Sequence, residues 1–371
     1  MRFIRVPRRP VEDVFSLMFH PPKMLRLCLL LLIGILLSGC ETLSYYGQAV
    51  EGQLSIWWQR EPIEQVLADP GTEDALKQQL ALVLEIREFA SAQLGLPDNN
   101  SYRYYSDLQR PHVVWNVFAA EEFSVSARRW CFPVAGCVSY RGYFSEQDAE
   151  DFARQLQQQQ LDTYVGGVSA YSTLGWFDDP VLSTFIVYPE VRLAGLIFHE
   201  LAHQQLYVAG DTTFNESFAT AVELEGVRRW LASHGKPEQM QNYLQNQQLR
   251  QDFVQVVLGL RTALDALYQS GVPPEQMRQR KQALIATFIE RDYADFKQRW
   301  GAVDRYDRWI AAGLNNAKLN TIASYHHWLG ALQRLMVESG PDLAVFYQRA
   351  GSLAQLDTDE RETRLEALAE Q

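Results

Sequence analysis

The sequence predicts an α+β protein, with a small mixed or antiparallel sheet followed by a predominantly helical body. Three observations predict it. Residues 62–94 carry apolar side chains at helical spacing. Residues 100–188 are dense in aromatic and β-branched residues broken by glycine and proline. From residue 189 to 371 the pattern is helical almost throughout, with breaks at Gly210, Gly235, residues 271–274 and Gly340-Pro341. Strands first and helices after is the order of an α+β fold.

Each element has its own reason. In the first helix Leu76, Leu80, Val83, Leu84, Ile86, Phe89 and Ala90 fall largely on one side, and Gly95 and Pro97 end it. "HVVWNVFAAEEFSV" and "WCFPVAGCVSYRGYF" have strand composition. Residues 146–160 read as a short polar helix ending in a solvated run of glutamines. The stretch from Tyr164 to Glu190 is strand-like again, interrupted by Gly166, Gly167, Gly175 and Pro180. Residues 61–371 read as one domain, 100–188 being its strand-rich part and 189–371 its helical part.

The 371 residues carry a net charge of −11, with no basic block beyond the N-terminus, which argues against a nucleic-acid partner. "KMLRLCLLLLIGILLSGC" has Lys23 and Arg26 ahead of an apolar run from Leu27 to Leu37, too short for a confident membrane span. Its end, Leu37-Ser38-Gly39-Cys40, resembles a bacterial lipobox. That resemblance implies a signal peptide over 1–39, a lipid on Cys40 and a tether over 40–60. Residues 1–39 hold six Lys/Arg and two Asp/Glu, so the remainder has 28 basic and 43 acidic residues, a net of −15. Such a body does not bind an anionic membrane by charge, and the lipid must hold it there. Glu41 is not the Asp that retains bacterial lipoproteins at the inner membrane, so the expected place is the periplasmic side of the outer membrane. In an export compartment Cys131 and Cys137 are expected to form a disulfide.

The chemistry is concentrated in "FHELAHQ". His199 and His203 are four residues apart, which on a helix puts both imidazoles on one face, one turn apart. Pro189 suits the start of that helix and Gly210 its end. Glu200 stands beside the pair, where a carboxylate can take a proton from a water. Two histidines in a nearly apolar wall are costly without partners. Zinc enzymes use three protein ligands, and Glu216 in "GDTTFNESFATAVELEG" is the third candidate, with Asn215 expected to cap its helix. Glu223 is the alternative ligand, or a partner for a ligand histidine.

Beyond this local pattern, "GYFSEQDAEDFA", "GVSAYSTLGWFDDP", "FHELAHQ", "NESFA" and "NNAKLNTIASY" resemble a bacterial zinc aminopeptidase family, often exported lipoproteins, over most of residues 100–350. The resemblance implies a zinc-metallopeptidase body in the helical part. It implies His199, His203 and Glu216 as zinc ligands, Glu200 as general base, and peptides as substrates. Twelve residues separate His203 from Glu216, fewer than in better-known two-His, one-Glu peptidases. An oxyanion donor is also required, and Tyr325 is the first choice, with His326 or His327 second. Asn315 and Asn316 either bind substrate backbone or end a helix. "SAYSTLGW" is the expected substrate strand, with Ala170, Tyr171, Ser172 and Gly175 as contacts. Asp178 and Asp179 either meet a free α-amine or cap a turn. The reading is a lipid-anchored zinc aminopeptidase. The alternatives are an endopeptidase on the same site, a non-catalytic zinc-containing peptide-binding lipoprotein, and a helix-rich lipoprotein with no metal.

Overall fold

Leu80, Val83, Ile86, Ala90 and Leu94 recur every three or four positions, and they fill the buried side of a helix spanning Asp74–Leu94. The structure, a computed structural model, describes residues 44–132, 136–170, 173, 177–323 and 327–369. Backbone contacts divide the chain into two units, Met1–Gln53 and Leu54–Gln371. The described part of the first, residues 44–53, is helical. The elements that follow belong to the second.

The helix expected over 62–94 is two. After β1 (Glu61–Pro62), α1 runs over Ile63–Ala68 and α2 over Asp74–Leu94. Pro70-Gly71 divides them, and the Asp69 carboxylate accepts from Gly71 N at 2.8 Å. Gly95, left-handed at φ 64°, ends α2. Ile56, just ahead of β1, is buried in the same core.

The strand-rich part makes three small sheets. β2 is Tyr104–Ser106, β3 Val114–Glu121, β4 Trp130–Phe132, β5 Gly136–Val138 and β6 Arg141–Tyr143. After α3 (Glu146–Gln158), capped by Ser145, come β7 (Leu161–Val168) and β8 (Val181–Leu182). The main sheet is antiparallel in the order β6-β3-β7, with Trp115 opposite both Tyr143 and Gly167. Phe152 and Leu156 of α3 are buried on the side of that helix that packs on this sheet. A second sheet, β1-β2-β8, pairs β1 with β2 antiparallel and β2 with β8 parallel. The third is the hairpin β4-β5, in which Cys131 faces Cys137 and their sulfurs are joined.

The strand-like stretch from Tyr164 to Glu190 is shorter in strand than its composition suggests. Beyond β7 the backbone is irregular, β8 has two residues, and residues 183–187 are turns. The apolar content there serves the core, since Phe185 and Ile186 are buried. Pro180 also blocks a continuous strand.

Helices follow: α4 (Glu190–Gln205), α5 (Thr212–Ser233), α6 (Pro237–Tyr268) and α7 (Pro274–Thr287). A π-helical turn, Phe288–Tyr293, leads into α8 (Ala294–Arg299). Then come α9 (Asp307–Ala311), α10 (Asn316–Ala323), α11 (Leu329–Glu338), α12 (Leu343–Ala354) and α13 (Thr358–Ala369). The protein is thus mixed α+β with small sheets and a helical majority. Among the described residues no helix is long and apolar enough to cross a membrane.

Two contacts position the site. α4 packs on α5 so closely at Gly226 that a Cβ there would lie 2.6 Å from the Phe198 ring. α6 is held by a second apolar cluster in which Phe253 stacks on Tyr306, centroids 3.6 Å apart and planes at 2°. That stack brings the loop before α9 onto the same side of α6 as α5.

Candidate metal centre

α4 presents His199 and His203 one turn apart, with ring centroids 4.9 Å apart. α5 brings Glu216 against both. His199 Nε2 lies 3.4 Å from Glu216 Oε2, and His203 Nε2 lies 3.7 Å from Glu216 Oε1. The three candidate ligand atoms all lie within 4.8 Å of one another. Four ligands at about 2.0–2.1 Å around a tetrahedral ion stand roughly 3.3 Å from each other. The donor set therefore fits one small divalent ion, with two imidazole nitrogens and a carboxylate.

The short connection from α4 to α5 is what aims Glu216. α4 ends at Gln205, earlier than Gly210, which instead takes φ 83° in the turn before α5. The cap of α5 is Asp211, not Asn215: its carboxylate accepts from Phe214 N at 3.0 Å. Asn215 is already inside the helix and buried. Its side chain accepts from Val208 N and donates to Val208 O, both at 2.8 Å. Arg361 of α13 binds Asp211 Oδ2 through two nitrogens, at 3.0 and 2.8 Å. Glu216 therefore sits on a start that is capped, pinned and buried.

Glu223, two turns along α5, faces the other nitrogen of His199, with Oε2 3.1 Å from Nδ1. Its second oxygen accepts from Tyr243 OH of α6 at 2.8 Å. It therefore stands as partner to a ligand histidine rather than as a ligand. Gly195 on α4 leaves room for this pair, since a Cβ there would be 3.2 Å from Glu223 Oε1.

The electrostatics divide the titratable groups. Burial pulls the His199 pKa down, but hydrogen bonds to Glu216 and Glu223 outweigh it and hold it well above the ordinary value. Burial and the neighbouring His199 charge push His203 down to about 4, so it is neutral and able to ligate. Its Nδ1 is buried without a hydrogen-bond partner among the described residues. Glu223 is pulled below the usual carboxylate value: burial opposes this, and His199, Tyr243 and Arg250 prevail. Glu200 goes the other way. Burial drives it up to about 7; His199 opposes, and the nearby carboxylates of Glu216 and Asp179 add to the rise. A carboxyl poised near neutrality beside the ligand set is suited to exchanging a proton with a water.

Several expected site residues take other places. Asp179 is buried and accepts from Thr173 N at 3.0 Å and Gln204 Nε2 at 3.2 Å, so it holds its loop and is not presented to an amine. Asn315 donates to Thr163 O at 2.8 Å and Asn316 to Glu121 O at 3.0 Å, so both bind the protein's own sheet backbone. Ala170 lies in irregular backbone beyond β7, packed against the core, not on the edge strand expected there. Tyr171, Ser172, Gly175, Tyr325, His326 and Cys40 lie outside the described residues. His327 is exposed, its ring centroid 4.3 Å from that of Trp328.

A cleft of about 370 Å³ opens on His199, Glu216 and Glu223 and is closed by α6 and the loop before α9. Sequence reasoning missed Tyr243, Arg250 and Arg305, because nothing in a single sequence links α6 to a motif forty residues upstream. A larger cleft, about 800 Å³, lies between α6 and the π-helical turn, but neither histidine nor cysteine lines it.

Residues 44–365 match the model of a family described as "putative aminopeptidase". The chain belongs to that family. The match takes in the sheets, the helical part and every residue of the candidate centre. At this level the protein is a peptidase and its substrates are peptides. No curated protein and no solved structure matches the chain.

Proposed function

We propose that the protein is a zinc-dependent aminopeptidase of the cell envelope, held to the periplasmic side of the outer membrane by a lipid on Cys40, with residues 61–371 acting as one catalytic domain. The observation that carries the metal reading is the convergence of His199, His203 and Glu216, with ligand atoms within 4.8 Å of one another. Family membership supports the peptidase part.

When bound, zinc polarises the scissile carbonyl and acidifies a water. His199 and His203 would hold the ion through their ring nitrogens and Glu216 through its carboxylate. Glu223 accepts the Nδ1 hydrogen of His199 and so keeps Nε2 free of a proton for the ion. Tyr243 in turn fixes the Glu223 carboxylate. Glu200 takes a proton from the attacking water at its carboxylate and returns it to the leaving amine, which its pKa of about 7 suits. The apolar wall of Leu193, Ile197 and Leu201 keeps the far side of α4 dry.

The test is metal content and hydrolysis of the full-length protein. One zinc per chain, weakened by Glu216→Ala and lost in His203→Ala, is expected. Glu200→Gln should keep the zinc and abolish hydrolysis. Cleavage of free-amine peptides but not of N-terminally blocked ones marks an aminopeptidase, and cleavage of blocked ones an endopeptidase. No zinc after reloading would overturn the metal reading, and full activity in Glu200→Gln would remove the assigned base.

A further inference from the structure

Two cations share the cleft with two of the candidate metal ligands, His199 and Glu216. Arg250 of α6 and Arg305 of the loop before α9 line the same 370 Å³ space as His199, Glu216 and Glu223. The chain is acidic, with 45 Asp and Glu against 34 Lys and Arg, and arginines next to a carboxylate usually pair with it. Arg228 and Arg229 on α5 do so with Glu225, at 2.6 and 2.7 Å. Arg250 makes no ion pair and no side-chain hydrogen bond among the described residues. Arg305 has a neutral partner, donating to Asn246 Oδ1 at 3.3 Å.

The placement of both is built. Asn246 and Arg250 are one turn apart on α6, so the side chain that holds Arg305 lies beside Arg250. The Phe253–Tyr306 stack locks the loop that carries Arg305 to the same helix. The carboxylates lining the cleft are otherwise engaged: Glu223 by His199 and Tyr243, and Glu216 against the two histidines. Arg250 feels the Glu223 charge at a distance, but neither guanidinium is in direct contact with a carboxylate, so the donors of both, in a concave site, remain matched to an incoming one.

We propose that Arg250 and Arg305 form a carboxylate-binding subsite, so that this site prefers peptides carrying a carboxylate close to the scissile bond. The subsite rests on the peptidase reading only for the identity of that bond. The carboxylate has two sources: the C-terminus of a dipeptide or other very short peptide, or an acidic side chain. The small cleft, near the lower end of the roughly 300–1,000 Å³ of small-molecule sites, suits a short peptide.

The test is binding by calorimetry to full-length, zinc-treated Glu200→Gln, which cannot consume its ligand. The probes are dialanine, dialanine amide and alanyl-glutamate amide. Dialanine should bind about 10- to 100-fold more tightly than its amide, the worth of hydrogen bonds to a charged group. Adding Arg250→Gln and Arg305→Gln should erase that difference while leaving amide binding unchanged. Strong binding of alanyl-glutamate amide as well places the source in either carboxylate, and weak binding restricts it to the C-terminus. Tight binding of alanyl-glutamate amide alone restricts the source to an acidic side chain; binding of all three probes alike, or of none, overturns the subsite, as does a preference that survives both substitutions. If the preference is present but the wild type cleaves no peptide, the subsite stands and the peptidase reading fails.

Discussion

The contact between Glu223 and His199 makes a prediction whose size follows from its geometry. Glu223→Gln keeps the shape of the side chain, and its amide oxygen can still accept from Nδ1 across the 3.1 Å now spanned by the carboxylate. What is lost is charge. A hydrogen bond to an ionised acceptor is roughly twice as strong as a neutral one, and removing a partner of this kind typically weakens metal affinity about 10- to 100-fold, or about 1.4–2.8 kcal/mol. A second effect opposes the first. In the metal-free protein Glu216 and Glu223 hold His199 protonated against the pull of burial, and that proton must leave before a metal can bind. Glu223→Gln lowers the His199 pKa and so eases the exchange. The two effects separate with pH. Above the raised His199 value, at the alkaline end of the titration, proton competition fades and the variant should show the full loss. Towards pH ~6.5, the ordinary histidine value, the loss should shrink. A chelator-competition titration with zinc across this range measures both. A variant that binds zinc as tightly as the wild type at the high end, or whose deficit grows as the pH falls, would refute the assignment of Glu223 to His199.

Three further expectations concern the scaffold. Gly226→Ala puts a Cβ 2.6 Å from the Phe198 ring, and overpacking of about 1–3 kcal/mol less a helix-propensity gain of about 1 should cost about 0–2 kcal/mol, read as a drop of up to a few degrees in melting temperature. Asp211→Ala removes the α5 cap and strands the buried Arg361, so urea denaturation should show a loss of about 3 kcal/mol, and a loss below about 1 would mean that the pair is idle. His234 is pulled down by burial but raised overall by Glu85 at 2.9 Å and the Trp230 carbonyl at 2.8 Å. Its stabilisation is complete below the ordinary histidine pKa and fades as pH rises through the raised value; Glu85→Gln should flatten that slope, as followed by denaturation and by NMR titration of the His234 ring.

The parts of the fold that were legible in the sequence are those set by local chemistry. The helical spacing of Leu80, Val83, Ile86 and Ala90 states which side of α2 is buried, and it is. The one-turn relation of His199 and His203, with Glu200 neighbouring, needs only a helix to become a cluster. Legibility fails where tertiary contacts choose between local options. Asn215 and Asp211 are equally good caps by residue type, and the choice fell to Asp211 because Arg361, 150 residues later, binds it. Asp179 reads as an exposed turn acid beside Asp178, yet Gln204 and Thr173 bury it as a loop anchor. The run around Phe185 and Ile186 has the composition of a strand and the geometry of a turn, because hydrophobicity reports burial and not backbone shape.

The same helix, α6, decides two properties that a motif-based account assigns to separate regions. Through Tyr243 it fixes the carboxylate that orients His199, and seven residues on, on the same side of the helix, it carries Arg250 into the cleft. A displacement of α6 therefore alters the metal ligand and the carboxylate-binding charge together. What holds α6 in place is the aromatic cluster around Phe253, Phe296 and Tyr306, well outside the ligand set. Substitutions in that cluster should consequently lower metal affinity and carboxylate preference in concert. Substitutions at Gly226, which act on the α4–α5 contact, should disturb the ligand triad and leave Arg250 and Arg305 in register with each other through Asn246. Separable effects of these two kinds are expected if two packed interfaces build the site: α4 on α5 for the ion, and α6 on both for its surroundings.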